Sequence, residues 1–228
     1  MRYLILFLMC MFSFQSSYSQ IHEIGGFIGG SNFIGDVGAT NYISPNQLAI
    51  GGIYKWNQSP RYSYRISLIY SELEGNDGKS DDPRRIQRGY NFNNKIIEIS
   101  GGIEFTFFDF DLHTGTSTST PYLYTGISVA NHDNYYFLNN VLTSESTSSW
   151  AYGIPMVLGF KTTFNKQIIL GVEVGARYTF SDEIDGSVPD AGFREEYSFV
   201  NLNNNDWYLF TGVTLTYTFG QNPCWCPQ

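Results

Sequence analysis

The chain is short of cysteine, histidine and charge, and each shortage removes a class of function. Three Cys and three His stand among 228 residues. His22, His113 and His132 are scattered, so no ligand spacing for a metal exists and neither metal nor cofactor is expected. Charged residues make up 15% of the chain and the net charge is −8. No basic stripe is present to neutralise phosphates, which argues against nucleic acid as a partner. There is no GxSxG, no HExxH and no glycine-rich loop leading into a helix, so no catalytic residue is nominated and an enzyme is not expected.

Long apolar runs are also missing, with one exception at the start. Tyr3 to Phe14 is a run of roughly 12 mostly apolar residues, shorter than the about 20 that a spanning helix needs. Arg2 precedes it, and small residues Ser17 and Ser19 follow it. That order reads as an export signal cleaved after Ser19, a membrane anchor being the alternative. Cys10 lies inside the run behind Phe7, Leu8 and Met9, which lack the small residues that lipid attachment requires. The expected division is therefore residues 1–19 as signal peptide, 20–220 as one β-domain and 221–228 as a tail.

What is abundant points to strands and turns. Gly (23), Phe (18) and Tyr (17) are plentiful beside Ser, Thr and Asn, a composition that suits pleated surfaces and tight connections. Eight segments carry period-2 patterning, each long enough to cross a bilayer as a tilted strand of about 9 to 11 residues. In WYLFTGVTLTYTF, Trp207, Leu209, Val213, Leu215, Tyr217 and Phe219 oppose Gly212, Thr214, Thr216 and Thr218. In QIILGVEVGARYTF, Ile168, Leu170, Val172, Val174, Ala176 and Tyr178 oppose Glu173 and Arg177. NNKIIEISGGIEFTFF sets Ile97, Ile99, Ile103, Phe105 and Phe107 against Glu98, Ser100, Gly102, Glu104 and Thr106. RYSYRISLIYSEL sets Tyr62, Tyr64, Ile66, Leu68 and Tyr70 against Arg61, Ser63, Arg65, Ser67 and Ser71. Weaker, glycine-richer segments lie near 21–30, 47–56, 120–130 and 150–162.

The connections alternate in length. Ser31 to Asn46, Glu72 to Asn93, Asn131 to Ser149 and Ser181 to Asp206 are long, whereas Asn57 to Pro60, Asp109 to Ser119 and Thr163 to Lys166 are shorter. Long loops at one end and short turns at the other are the habit of membrane barrels. Aromatic residues collect near strand ends, where they settle at headgroup level. The expected fold is thus all-β: an eight-stranded antiparallel transmembrane barrel in the bacterial outer membrane, surrounded by its lipids, with both mature termini periplasmic. A soluble β-sandwich is the alternative. If the apolar faces meet lipid, the inward positions hold Glu23, Lys55, Arg65, Glu98, Glu104, Lys161, Glu173 and Arg177, four acids and four bases. A barrel of this size has room only for its own side chains, so a salt-bridged plug is expected and a narrow ion pathway is the alternative. Pro155 removes a ladder donor, and a bulge or frayed edge is expected there.

Three further features invite a role. The acidic loop SDEIDGSVPDAGFREE, with Asp182, Glu183, Asp185, Asp190, Glu195 and Glu196, either offers oxygen ligands to Ca²⁺ or is a solvated loop; EF-hand spacing is absent. Arg84, Arg85 and Arg88 either pair with lipopolysaccharide phosphates or with that acidic loop, or lie in a solvated loop, the default for such a cluster. In the tail QNPCWCPQ, Cys224 and Cys226 are too close for easy disulfide geometry, leaving a free pair or a bond to a partner.

The segments EIGGFIGGSNFIGDV, PYLYTGISV, GVEVGARYTFSDEIDGSV and above all NNNDWYLFTGVTLTYTFG resemble the PorG family of outer-membrane barrels, and the likeness runs through the whole mature chain. The resemblance implies a non-enzymatic component of the type IX protein secretion system, which also supports gliding motility in some bacteria. It implies as partner a periplasmic ring lipoprotein complex that the barrel anchors to the outer membrane. On that reading the short turns Asn57 to Pro60, Asp109 to Ser119 and Thr163 to Lys166 and the tail face the ring, with the tail residues Asn222, Pro223, Cys224, Trp225 and Cys226 as the candidate partner-binding surface and a disordered terminus as the alternative for the tail. A general small barrel acting through its external loops is the competing expectation.

Overall fold

The computed structural model describes residues 21–112, 117–165, 167–189, 194–199 and 205–220. The expected signal peptide and the tail carrying Asn222, Pro223, Cys224, Trp225 and Cys226 lie outside the described residues.

Eight antiparallel strands close into one barrel in chain order. They are β1 (Ile21–Ile34), β2 (Gln47–Asn57), β3 (Tyr62–Asn76), β4 (Asn91–Thr106), β5 (Ser119–Leu138), β6 (Val141–Thr163), β7 (Ile168–Thr179) and β8 (Trp207–Phe219). Closure comes from β1 pairing with β8 over all of β8 and all of β1 but its first residue, from His22↔Phe219 to Ile34↔Trp207. No edge is left at that seam, which is how a sheet satisfies every backbone group without water. This is the eight-stranded barrel that the period-2 segments predict.

Strand alternation sorts the side chains. Ile97, Ile99 and Ile103 of β4, Ile66 and Leu68 of β3, Val172 of β7 and Val213 and Leu215 of β8 all point outward and are exposed. Their neighbours Glu98, Glu104, Arg65, Ser67, Glu173, Thr214 and Thr216 are buried inside. An outside that is greasy and an inside that is polar is the reverse of a protein made for water. Aromatic rings gather in two girdles. At the end carrying the short turns, Trp56 packs on Tyr64 (5.5 Å) and Tyr62 on Phe105 (5.3 Å). At the opposite end, Tyr178 meets Trp207 (4.9 Å) and Phe180 (5.3 Å).

Two expectations need correction and one holds in part. The segment from Asn131 to Ser149 is not an irregular loop: β5 and β6 pair as far as Leu138↔Val141, joined by Asn139 and Asn140 with φ of 49° and 65°. Two consecutive left-handed residues, both Asn, are the signature of a tight hairpin turn whose twist matches its strands. Pairing of β4 with β5 stops at Ile96↔His132, and pairing of β6 with β7 stops at Gly153↔Thr179. The hairpin therefore stands above the barrel rim. Pro155 interrupts the β5–β6 ladder, which skips from Thr125↔Met156 to Ser128↔Gly153, as its missing donor leads one to expect, but it produces no bulge: the register is unchanged there and Pro155 stays opposite Arg177 on β7. The shift in register comes instead between Asp133 and Tyr135, near the rim. Arg61, grouped above with the inward residues, lies outside β3, half-exposed, and pairs with Asp109 across two turns.

Candidate functional site

Two built regions lie inside the barrel, and they differ in chemistry. The half nearer the short turns is charged. Its centre is Glu104 on β4, which takes Lys55 from β2 at 2.7 Å and Lys161 from β6 at 2.7 Å, with Arg65 from β3 at 3.7 Å. Arg65 completes a two-pronged pair with Glu173 on β7 (2.7 and 2.8 Å), and the Tyr122 hydroxyl donates to the same carboxylate at 2.6 Å. Lys55 also stands 4.0 Å from Glu23, whose carboxylate accepts from Asn57 (2.9 Å) and Thr216 (2.9 Å). The eight charges named from the sequence are all buried. Six of them, Glu23, Lys55, Arg65, Glu104, Lys161 and Glu173, form this network, and Glu98 and Arg177 form a second.

That second pair sits closer to the loop end. Arg177 Nε donates to Glu98 at 3.2 Å, Tyr208 donates to Glu98 at 2.6 Å, and the guanidinium lies over Phe210 at 4.5 Å. Aromatic faces also brace the lower charges, with Arg65 over Tyr124 (4.7 Å) and Lys161 over Phe110 (4.6 Å). Each of these eight charges thus has an opposite partner, several with a ring besides, which is what permits ions in an enclosed interior. Phe110, in the turn after β4, is buried over Lys161 at the short-turn end.

Above the Glu98–Arg177 pair the interior becomes apolar. Phe27, Ile69, Leu73, Phe92, Ile96, Ala130, Tyr208 and Phe210 pack together with Phe33 and Val37. Period-2 reading sees only one greasy face per strand, so this second, inward apolar set escapes it. The core continues into the loops. Ile184, from the connection between β7 and β8, is fully buried in it, and Phe137 of the hairpin stacks on Tyr90 at 4.1 Å.

The loops are locked to one another by carboxylates. Asp185 accepts from the backbone N–H of Asp36 and of Val37 at 3.0 Å each, tying the β7–β8 connection to the β1–β2 connection. Asp77 accepts from Gly38 N at 2.8 Å and from Arg88 Nε at 2.8 Å, while Arg88 also donates to the Asp36 carbonyl at 2.7 Å. Arg85 donates to the Gly38 carbonyl at 2.7 Å. Gly186, with φ of 76°, passes so close to the Tyr135 backbone that a Cβ would stand 3.2 Å from its carbonyl oxygen; glycine is required at that crossing. Two of the three arginines of Arg84, Arg85 and Arg88 are thereby committed within the protein, whereas Arg84 stays exposed and pairs with Asp82 at 3.2 Å. Among the described residues no group of three acidic, His or Cys side chains is arranged to hold a metal ion. Asp185 is accordingly a clamp on backbone amides.

A family description covers residues 2–228: domain of unknown function DUF6089. The chain belongs to the DUF6089 family. No curated protein matches it. Among solved structures it is similar to Ail, the attachment invasion locus protein of Yersinia pestis, at 9% identity and a TM-score of 0.47, over 89% of this chain and 100% of that one. A major outer membrane protein of Thermus thermophilus aligns at 11% identity and a TM-score of 0.45, over 89% and 100%. OprG of Pseudomonas aeruginosa aligns at 8% identity and a TM-score of 0.43, over 89% and 97%. All three are outer membrane proteins by description.

The clamp predicts how the loop end of this DUF6089 chain responds to pH. Burial pushes the Asp206 carboxyl well above the usual carboxylate range, and the charges of Asp185, Asp182 and Asp36 push the same way. Asp185 is raised as well, chiefly by burial, against hydrogen bonds from Ser187, Val37 and Asp36 that pull it down. A group whose folded pKa is raised binds its proton more tightly in the docked state, so docking is stronger at acid pH and weakens as pH climbs above the ordinary carboxylate value. Hydrogen exchange at the Ile184 amide, which Asp206 holds at 3.1 Å, is expected to show higher protection at acidic than at neutral pH after correction for intrinsic rates. Equal or reversed protection would show that protonation of Asp206 and Asp185 does not govern docking of the loops.

Proposed function

We propose that the chain is a non-conducting, non-enzymatic barrel of the bacterial outer membrane whose working surface is its ordered, extracellular loop end. One observation carries this reading: the interlocked loops and the β5–β6 hairpin form a continuous folded extension of the core above the rim. Loops that served only to connect strands would not need the Asp185 and Asp77 clamps or the Tyr90–Phe137 stack. The lower lumen supports the same reading, because paired charges braced by rings leave the side chains fixed where a pore needs water. Surface barrels act through what they display, and this one displays a cap of cross-linked loops with the edge of β6 beyond Gly153 along one side.

A second reading, anchorage of the periplasmic ring lipoprotein complex of the type IX secretion system, draws its support from the PorG-like segments quoted above. It places the working surface at the opposite end, on the short turns and on residues 221–228. Three strains separate the two. One lacks the chain, one carries a barrel whose hairpin is cut back to a two-residue turn near Ala130 and Ala151, and one lacks residues 221–228. If the loop end is the working surface, the shortened barrel inserts at normal levels, secretes cargo normally and reproduces the deletion strain's surface defect. If the ring reading holds, the deletion strain and the tailless strain retain secreted cargo inside the cell while the shortened hairpin has no effect.

A further inference from the structure

The connection between β1 and β2 changes sides of the barrel wall. It leaves β1 on the inside, where Val37 is fully buried and Asp185 holds the amides of Asp36 and Val37. It returns to β2 on the outside. Gly30 pairs with Leu48, which is 63% exposed, so both stand on the outward face of the sheet. A Cβ at Gly30 would lie 2.6 Å from Pro45 Cβ, which sets Pro45 against that face. Two residues further along the same face, Asn32 donates through Nδ2 to the carbonyls of Asn41 (3.1 Å) and Tyr42 (3.2 Å). Asn46 N donates to the Ser31 carbonyl at 2.9 Å and closes the segment onto β1. Residues 41–46 are therefore a strap laid on the outer wall.

The strap sits low. Asn32 is two residues, about 7 Å along the strand, on the membrane side of Ile34, whose partner Trp207 belongs to the girdle at the loop end. Its sequence suits that level. The ten residues from Gly38 to Gln47 include no acid or base, whereas the twelve from Asp77 to Arg88, between β3 and β4, include seven. Charge is costly where lipid begins and is tolerated in water. The strap nevertheless presents two large side chains outward, Tyr42 at 76% and Ile43 at 61% exposure, and Leu48 and Ile50 carry the same apolar surface down β2.

We infer that this strap is a lipid contact, with Tyr42 and Ile43 entering the boundary between headgroups and acyl chains in the leaflet at the loop end. A Tyr ring is apolar along its body and polar at its tip, which matches that boundary, and Ile43 offers only carbon to the chains. The occupant is the lipid that already surrounds the belt, because the strap continues the belt's surface without a charged break. The inference rests on the membrane reading of the barrel and adds a contact that its strands do not make. The same connection carries Asp36 and Val37 into the Asp185 clamp, so lipid and cap hold one segment from its two sides.

The test uses the full mature chain carrying Cys224→Ser and Cys226→Ser, inserted in phosphatidylcholine vesicles. A nitroxide is attached in turn through Tyr42→Cys, Ile43→Cys, Leu215→Cys in the belt and Arg84→Cys in the helix Pro83–Arg88, and heat-modifiable gel mobility verifies each barrel. Power saturation then compares collisions with oxygen, which concentrates in lipid, against those with a water-soluble nickel chelate. The oxygen-to-nickel ratio at positions 42 and 43 is expected to exceed that at 84 several-fold and to approach that at 215. If 215 reads as lipid while 42 and 43 match 84, the strap lies in water: the inference falls and the membrane reading stands. If 215 also matches 84, the membrane reading fails and takes the strap with it. Few collisions with either reagent at 42 and 43 would place protein over them and overturn the lipid contact as well.

Discussion

Glu104→Gln is expected to destabilise the folded barrel by about 3–5 kcal/mol, the usual consequence of stripping one partner from a buried ion network. Glu104 is the acid on which Lys55, Lys161 and Arg65 converge. Removing its charge leaves two ammonium groups and a guanidinium with only Glu23 and Glu173 to balance them. Glu98→Gln should cost less, because it strands one guanidinium that also rests on Phe210. Adding Lys161→Met to Glu104→Gln should recover part of the loss, since the second change removes one of the stranded cations, and the pair is close enough to be non-additive. Urea titrations in lipid vesicles, read as the fraction running at the folded position on unheated gels, measure all three. A Glu104→Gln barrel within about 1 kcal/mol of the parent would show that water reaches and solvates the lower lumen, and the non-conducting reading would fall with it.

The same network shows how far the sequence could be read. Which residues point inward was legible in β3, β4, β7 and β8, because lipid demands an unbroken greasy face and the alternation exposes everything else. Which acid meets which base was not. Arg65 and Glu173 are 108 positions apart and Arg177 and Glu98 are 79 apart; their meeting depends on the stagger with which the sheet closes, and no local pattern encodes it. The hairpin was missed for a related reason. From Asp133 to Trp150 the strands continue, but above the membrane neither face meets lipid, so polar TSESTSS replaces alternation and the stretch resembles a loop. The Asn139–Asn140 pair was the available signal, since adjacent Asn residues tolerate the left-handed turn. The loop clamps were hidden more deeply: Asp185 looked like one acid of a solvated cluster, whereas its burial against the amides of Asp36 and Val37 needs the barrel mouth to bring two distant connections together.

Val172→Arg and Val213→Arg supply the second large effect, and they test the premise beneath every other statement. Val172 and Val213 face each other across β7 and β8, midway between the two aromatic girdles, and are 51% and 41% exposed on the outside of the barrel. On a surface bathed in water an Arg at such a position changes stability by less than about 0.5 kcal/mol, because the new charge is solvated and nothing packed is displaced. Facing the middle of a bilayer, the same change costs about 2–4 kcal/mol, falling to about 0–1 near the headgroups. Phe219→Arg, in the girdle at the short-turn end, is therefore the internal control, expected to lie within about 1 kcal/mol of the parent. The prediction is a gradient: two large losses at the centre, a small one at the rim, measured by the same unfolding titration in vesicles. Three equal, small effects would mean that the apolar belt of Ile66, Leu68, Ile97, Ile99 and Leu215 meets something other than lipid, and a charge-filled interior would then need another explanation than enclosure within a membrane.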